Sequence, residues 1–250
     1  YSIWLATVVV SGISYLSYLL KRYVFHESGT LVSGIIGGLY SSTATISVLA
    51  RKSRKASEQE ATDYVAAMLL AVSMMFLRFM ILILIFSREI FLSIYPYLLT
   101  MAVVAAIVAW FIHSRQKRPE DQPAEIEEDD SSNPLEFKVA LIFAVLFVIF
   151  TFLTHYTLVY AGTGGLNLLS FVSGFSDITP FILNLLQNTG SVAALIITAC
   201  SMQAIISNIM VNMFYALFFA GKGSKLRPWI LGGFGVVIAC NLVLLLFFYI

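Results

Sequence analysis

The sequence predicts an all-α integral membrane protein made of two repeats with inverted orientation, each containing three transmembrane helices plus one re-entrant or broken helix. Three observations lead to this fold class: an apolar composition, eight apolar stretches of spanning length, and a second half that repeats the first. With 59% hydrophobic and 12% charged residues, the chain is too apolar for a soluble domain, where about 25% of residues are charged. A mean hydropathy of +0.89 agrees with this.

The apolar stretches run 3–20, 28–50, 61–87, 90–113, 135–160, 165–187, 189–220 and 228–250. Each is long enough to cross the roughly 30 Å hydrocarbon layer as a helix. The one long hydrophilic stretch, 114–134, separates a first membrane repeat at 1–113 from a second at 135–250. Its runs of like charge repel and bury no surface, so we expect a solvated, flexible linker.

Three sequence matches in the same order indicate the repeat. Residues 29–49 slide onto 165–185 without a gap, which pairs Gly38 with Gly174 and Thr43 with Thr179. Further on, 65–67 falls opposite 192–194, and 96–99 falls opposite 228–231. Internal repeats of this kind are typical of transport proteins.

The basic residues choose between two topologies, since Lys and Arg gather on the cytoplasmic side. If all eight stretches cross, the fourteen Lys and Arg residues outside the stretches' interiors divide eight against six. If 28–50 and 165–187 enter and leave on the same side, thirteen share one side and only Arg88 lies opposite. Each repeat then has three crossings, an odd number, so the two repeats are inverted. Broken helices that span fully remain the alternative.

Each of these two stretches contains a break rich in glycine and hydroxyl residues, GGLYSSTAT at 37–45 and SGFSDITP at 173–180. Glycine lets the first half-helix stop, a hydroxyl caps the next, and Pro180 is tolerated in a first turn. Thr43 and Thr179 are either only helix caps or part of a site where two half-helix starts meet near the midplane. The neutral oxygen ligands of such a site would be Ser41, Ser42, Thr43, Ser176 and Thr179.

Two charged residues lie deep within the apolar stretches, away from their ends. Asp177 is the leading ion-site candidate, because a buried carboxylate is unfavourable unless it is paired or hydrated; its alternative role is to cap the following half-helix. Arg78 either pairs with Asp177 across the bundle or extends toward an interface. A polar stripe on the seventh stretch either bonds to neighbouring helices or lines an aqueous pathway; it comprises Thr198, Ser201, Asn208 and Asn212.

The run 38–45, GLYSSTAT, with LARK at 49–52, resembles the signature of a bacterial membrane domain of unknown function. That domain commonly follows an MgtC/SapB-like domain. GISY at 12–15 and GFSD at 174–177 are similar too, so the resemblance covers nearly the whole chain. It implies a multi-pass protein of the bacterial inner membrane with an MgtC/SapB-like domain as a partner, and it brings no activity with it.

We expect a transporter or channel for a small inorganic ion, and a cation is the favoured substrate. Asp177 would be its charged ligand, with Asn208 and Asn212 nearby. Oxygen ligands suit hard cations, and no cofactor is expected beyond a bound monovalent or divalent cation. The alternatives are an anion or small polar solute, favoured by half-helix N-termini and Arg78, and a non-transporting regulatory subunit.

No metal-ligand pair, nucleophile dyad or aspartate pair appears, so we do not expect an enzyme. The expected partners are the lipid bilayer, the ion and a second copy of the chain, since small bundles of six crossings often dimerise. No nucleic-acid partner is expected.

Overall fold

The computed structural model describes residues 2–19, 29–54, 56, 58–115, 137–187, 193–221 and 224–249. Within these residues all regular structure is helical. The helices are α1 Ser2–Leu19, α2 Thr30–Lys52, α3 Glu58–Phe86, α4 Arg88–Ser114, α5 Phe137–Ser173, α6 Ile178–Gln187, α7 Ala194–Ala220 and α8 Arg227–Tyr249. Most of the predicted linker, 116–134, lies outside the described residues.

Six of the described helices are long and apolar enough to cross a membrane: α2, α3, α4, α5, α7 and α8. Large apolar side chains cover the outer surface, as at Trp110, Phe152 and Tyr160, which are 68%, 59% and 81% exposed. A surface of this kind is what a bilayer solvates. The chain is therefore a multi-pass membrane protein, and the predicted all-α membrane class is confirmed.

Helices α3 and α7 form the centre of the bundle. The run 65–69 of α3 is fully buried, and α7 is buried over most of its length. Small residues allow close packing here: a Cβ on Gly34 would collide with Ala67, and one on Gly38 would collide with Ala71. A glycine that lets two helix backbones approach in this way is typical of membrane interfaces.

Helix α2 bends back on itself at Ser41, whose φ of −158° and ψ of 108° are extended. A Cβ on Gly37 would lie 2.8 Å from Cγ2 of Thr45. In a continuous helix these positions are about 12 Å apart along the axis. The first half of α2 runs along α3, because Tyr64 is hydrogen-bonded to Thr30 and the two glycine contacts follow in the same order. The short loop after Lys52 then leads directly to the start of α3. Both ends of α2 therefore lie near the beginning of α3.

The boundary between the fifth and sixth apolar stretches differs from the prediction, because α5 continues from the fifth stretch into the first part of the sixth. Its irregular point is Gly162, with φ 58° and ψ −148°, a region that only glycine enters readily. The part of α5 after Gly162 runs along α7, since Cys200 contacts Asn167 and Ser207 donates to the Phe171 carbonyl at 2.6 Å. After a non-helical segment at 174–177, α6 leads back toward the start of α7.

Several corresponding features of the two halves are separated by 136 residues, although α4 and α8 begin 139 residues apart. The 136-residue spacing separates the starts of α3 and α7 at Glu58 and Ala194. The same spacing separates Gly38 from Gly174 and Ala71 from Ser207, and a Cβ on either glycine would collide with the residue named second in its half, Ala71 or Ser207. The sequence match of 65–67 with 192–194 is out of register with the helices, since Ala67 lies inside α3 while Ala194 begins α7. Pro96 inside α4 and Pro228 at the start of α8 are out of register in the same way.

The helix contacts interchange when the two halves are exchanged. Helix α2 contacts α7 as α3 contacts α6, and α4 contacts α7 as α3 contacts α8. The pairs α4 with α8 and α1 with α5 map onto themselves. A hydrogen bond from the Tyr97 hydroxyl to Oδ1 of Asn241 joins α4 to α8 in the core. The two halves thus share one continuous core.

Candidate functional site

The first tip, residues 40–44, is the point where α2 reverses. Its second half-helix is capped by Ser41, whose Oγ accepts from the Ala44 amide at 3.3 Å. The predicted cap Thr43 instead lies inside that half-helix, and its carbonyl accepts from the Ser47 hydroxyl at 2.8 Å. Ser42 is buried. Because Ala44 donates to Ser41, the Tyr40 carbonyl is without the i+4 amide that a continuous helix would provide.

The second tip, residues 174–177, lies between α5 and α6. Oδ1 of Asp177 accepts from the Thr179 amide at 2.9 Å, so this carboxylate caps α6. Thr179 is 1% exposed and lies within the first turn together with Pro180. The Ser176 hydroxyl donates to the Ser173 carbonyl at 3.1 Å. Ser41 and Asp177, which are 136 residues apart, therefore both cap the start of a helix. Ser41 does so with a neutral oxygen and Asp177 with a charged one.

Both tips lie beside the middle of a central helix. Gly38 packs on Ala71 and Gly174 packs on Ser207, and each of these partners lies halfway along its helix, α3 or α7. Beside the middle of α7, Asp177 and Ser176 are exposed on the protein surface. The carboxylate thus opens toward space outside the packed core.

Arg78 is buried on α3, with 8% of its surface exposed. Its Nη1 donates to the Tyr40 carbonyl at 2.6 Å, so the guanidinium replaces the amide partner that the break removed. Its charge also lies within electrostatic range of the Asp177 carboxylate. Nε of Arg78 has no hydrogen-bond partner within the part of the chain that the structure describes. Of the two predicted alternatives for Arg78, its burial fits a role inside the bundle rather than an extension toward an interface.

The polar stripe on α7 holds the second tip. Asn208 donates from Nδ2 to the Gly174 carbonyl at 3.2 Å, and Asn212 donates to Oδ1 of Asn208 at 3.1 Å. Thr198 and Ser201 are fully buried, and the Ser201 hydroxyl donates within its own helix. Interhelical bonding therefore explains part of the stripe. Three buried side-chain oxygens of α7 have no partner among the described residues; they belong to Thr198 and Asn212 of the stripe and to Gln203 beside it.

Sequence reasoning missed Tyr40, which acts through its carbonyl, and Ser207, which anchors the segment before the second tip. Residue type reveals nothing about a backbone carbonyl. The repeat could have indicated Ser207, because it stands 136 residues after Ala71. Among the described residues no group of three or more His, Cys, Asp or Glu side chains is gathered as metal ligands. A cation at the tips would therefore be held by one carboxylate and neutral oxygens.

Comparison with known proteins places this arrangement in a family. Residues 8–220 match the family described as a domain of unknown function, DUF4010. The chain belongs to this family. It is 25% identical over 227 residues, which are 88% of this chain and 96% of the relative, to a protein of Aquifex aeolicus (strain VF5) described as uncharacterized. No solved structure matches the chain.

Proposed function

We propose that the chain transports a small inorganic ion across the bacterial inner membrane, with its site between the two tips. The single observation that carries this proposal is the exposed Asp177 carboxylate at the second tip, beside the middle of α7. A charge at that depth is unfavourable against lipid and normally faces a water-filled cavity or a partner. Interrupted backbone at membrane depth is likewise tolerated only in protein or beside water.

The proposal includes two re-entrant hairpins. Each half of α2 has about eleven residues and is about 16 Å long, half of the roughly 30 Å that a crossing requires. The position of both ends of α2 near the start of α3 supports a hairpin that returns to its side of entry. The second hairpin is the end of α5 together with α6, which leads back toward the start of α7.

The proposal also includes opposite orientations of the two repeats. Arg54, just after α2, donates from Nε to the Phe219 carbonyl and from Nη2 to the Phe218 carbonyl, at the end of α7. Because the end of α2 also lies near the start of α3, the end of α7 lies beside the start of α3. Antiparallel central helices of this kind support inverted repeats whose hairpins enter from opposite sides, as the distribution of basic residues predicts.

A cation is the substrate that the tips favour. Asp177 supplies the charge, and one carboxylate oxygen remains after Oδ1 has capped α6. Hydroxyl and carbonyl oxygens around the tips are the neutral ligands that hard cations accept. Each tip combines the end of one half-helix with the start of another, so the helix dipoles there largely cancel.

An anion is the second candidate, and one observation favours it. Nε of Arg78 is buried and without a partner, and a buried guanidinium donor of that kind can bind an anion. A regulatory membrane subunit that works with an MgtC/SapB-like domain is the candidate outside transport. We do not propose an enzyme.

Flux into proteoliposomes tests the proposal against both alternatives. The panel is Na⁺, K⁺, Mg²⁺, Ca²⁺, chloride and phosphate, with the wild type and Asp177→Asn. The matched control is Asp63→Asn, which also replaces a carboxylate by an amide, but at a surface pair with His113. We expect cation flux that falls about tenfold or more in Asp177→Asn and persists in Asp63→Asn.

Anion flux that Asp177→Asn leaves unchanged or raises would reverse the sign of the substrate. Silence of the folded wild type across the whole panel would sink the transport proposal and favour the regulatory subunit.

A further inference from the structure

The two tips differ in charge, and one side chain interacts with both. Ser41 and Asp177 occupy equivalent positions, yet only the second tip carries a formal charge. Arg78 comes from the first repeat and donates to the Tyr40 carbonyl of the first tip. Its charge also interacts with Asp177 of the second. Helix α3, which carries Arg78, also contacts α6, which Asp177 caps.

The hydrogen bonding of Arg78 is incomplete among the described residues. A buried arginine requires partners for its charge and its donors. One donor is satisfied by Tyr40, and Nε is not satisfied. No direct ion pair within 4.0 Å joins Arg78 to Asp177, both of which the structure describes. The two opposite charges therefore attract each other across a gap.

We propose that Arg78 is a built-in countercharge that couples the two tips and balances Asp177 until a transported cation replaces it. A cation at Asp177 weakens the attraction on the guanidinium, which changes its hold on the Tyr40 carbonyl and so on the first tip. Binding of a cation at the second hairpin then alters the first hairpin. The replacement by a cation rests on the proposed function, whereas the coupling between the tips does not.

A fluorescent reporter on the first tip tests the coupling. Ala44 is exposed and lies three residues after Ser41, so Ala44→Cys accepts an environment-sensitive dye once Cys200→Ser and Cys240→Ser have removed the native thiols. Val48→Cys, on the next turn of the same half-helix, is the matched control. All emission spectra are first recorded in choline chloride, without other cations.

We expect Asp177→Asn to shift the emission at Ala44→Cys when Arg78 is present and to leave it unchanged in Arg78→Gln. Arg78→Lys keeps the charge and should keep the response, which also covers the case in which Arg78→Gln does not fold. The dye at Val48→Cys should respond less in every background. An equal effect of Asp177→Asn in the Arg78 and Arg78→Gln backgrounds, or no effect in either, overturns the coupling.

Isothermal titration calorimetry of the unlabelled protein with Na⁺ and Mg²⁺ tests the replacement by a cation, because its signal does not pass through Arg78. Removal of the competing charge in Arg78→Gln should lower the dissociation constant of the bound cation by about tenfold, while Asp177→Asn abolishes binding. An unchanged or higher dissociation constant in Arg78→Gln overturns the competition. If the two tips of the wild type are coupled but the protein responds to neither cation, the result would support the link between the hairpins and contradict cation transport.

Discussion

Asp177 combines a structural and a chemical role in one side chain. Its Oδ1 begins α6 by accepting from the Thr179 amide, and its exposed carboxylate supplies the charge on which the proposed ion site depends. Ser41 begins the second half of α2 in the same way without a charge. The cap and the charge can therefore be separated by substitution.

We expect Asp177→Asn and Asp177→Ser to fold with nearly the stability of the wild type, because Asn and Ser are also good N-cap residues. Asp177→Ala should lower the free energy of unfolding by about 1 kcal/mol. Thermal unfolding in detergent measures the order of the three variants. If all three were equally destabilised, the charge rather than the cap would dominate the stability of this turn.

The glycines that face central helices should not accept a methyl group. Gly38→Ala meets Ala71 and Gly174→Ala meets Ser207 and the Asn208 amide, so we expect a loss of about 1–3 kcal/mol for each. Gly232→Ala is the control, since a Cβ there meets nothing within 4 Å and alanine favours a helix. Unfolding midpoints compare the three, and a loss in Gly232→Ala as large as in the others would contradict the packing argument.

Among the helices, α2 shows most clearly which structural features the sequence predicts and which it does not. Composition and the GGLYSSTAT run predicted an interrupted helix at the right place. The glycines themselves did not mark the break: Gly38 packs on Ala71 and Gly37 lies against Thr45, while the reversal falls at Ser41. Glycine serves both close packing and chain reversal, and only three-dimensional contacts distinguish them. The continuation of α5 through Gly162 was missed for a similar reason, because glycine usually indicates an end.

The reversal of α2 predicts a disulfide that a continuous helix cannot form. A Cβ on Gly37 lies 3.2 Å from Cβ of Thr45, near the separation of about 3.5–4.5 Å that disulfides have. In the chain without native thiols, we expect Gly37→Cys with Thr45→Cys to cross-link on mild oxidation. Thiol counting by mass spectrometry detects the bond.

The control pair is Val103→Cys with Phe111→Cys, which has the same spacing in α4, where no reversal interrupts the helix. It should stay reduced. Two free thiols in the α2 pair under the same oxidation would count against the reversal.

For the whole molecule, the side of the membrane reached by each loop distinguishes the hairpin topology from eight crossings. With hairpins, Gln187 lies on the side of Ser87, and Ser224 lies on the side of Ser114. With eight crossings both assignments exchange. We expect single cysteines at these four positions, on the thiol-free background, to react with an impermeant reagent from the sides that the hairpins require. Labelling of intact and permeabilised cells measures this, and Gln187→Cys labelled together with Ser114→Cys would exclude the hairpins.

Long-range features set the limit of sequence prediction for the site. Asp177 and Arg78 stood out as candidates because charged residues are rare in an apolar chain, but the sequence left open whether Arg78 pairs inside the bundle or extends toward an interface. The bond from Arg78 to the Tyr40 carbonyl was not predicted, because it joins residues 38 positions apart through a backbone atom. The predicted register of the two halves was also partly wrong, since α3 and α7 begin 136 residues apart while two of the three sequence matches used other spacings.

The contacts between the two halves have a consequence for how the protein could be made. Arg54 with the end of α7, Tyr97 with Asn241, and Arg78 with the second tip are all noncovalent. A first polypeptide ending after Arg115 and a second beginning before Phe137 would together contain every one of them. Each polypeptide would bring one tip and half of the core, so two separately translated pieces could assemble into the complete protein while neither would be sufficient alone.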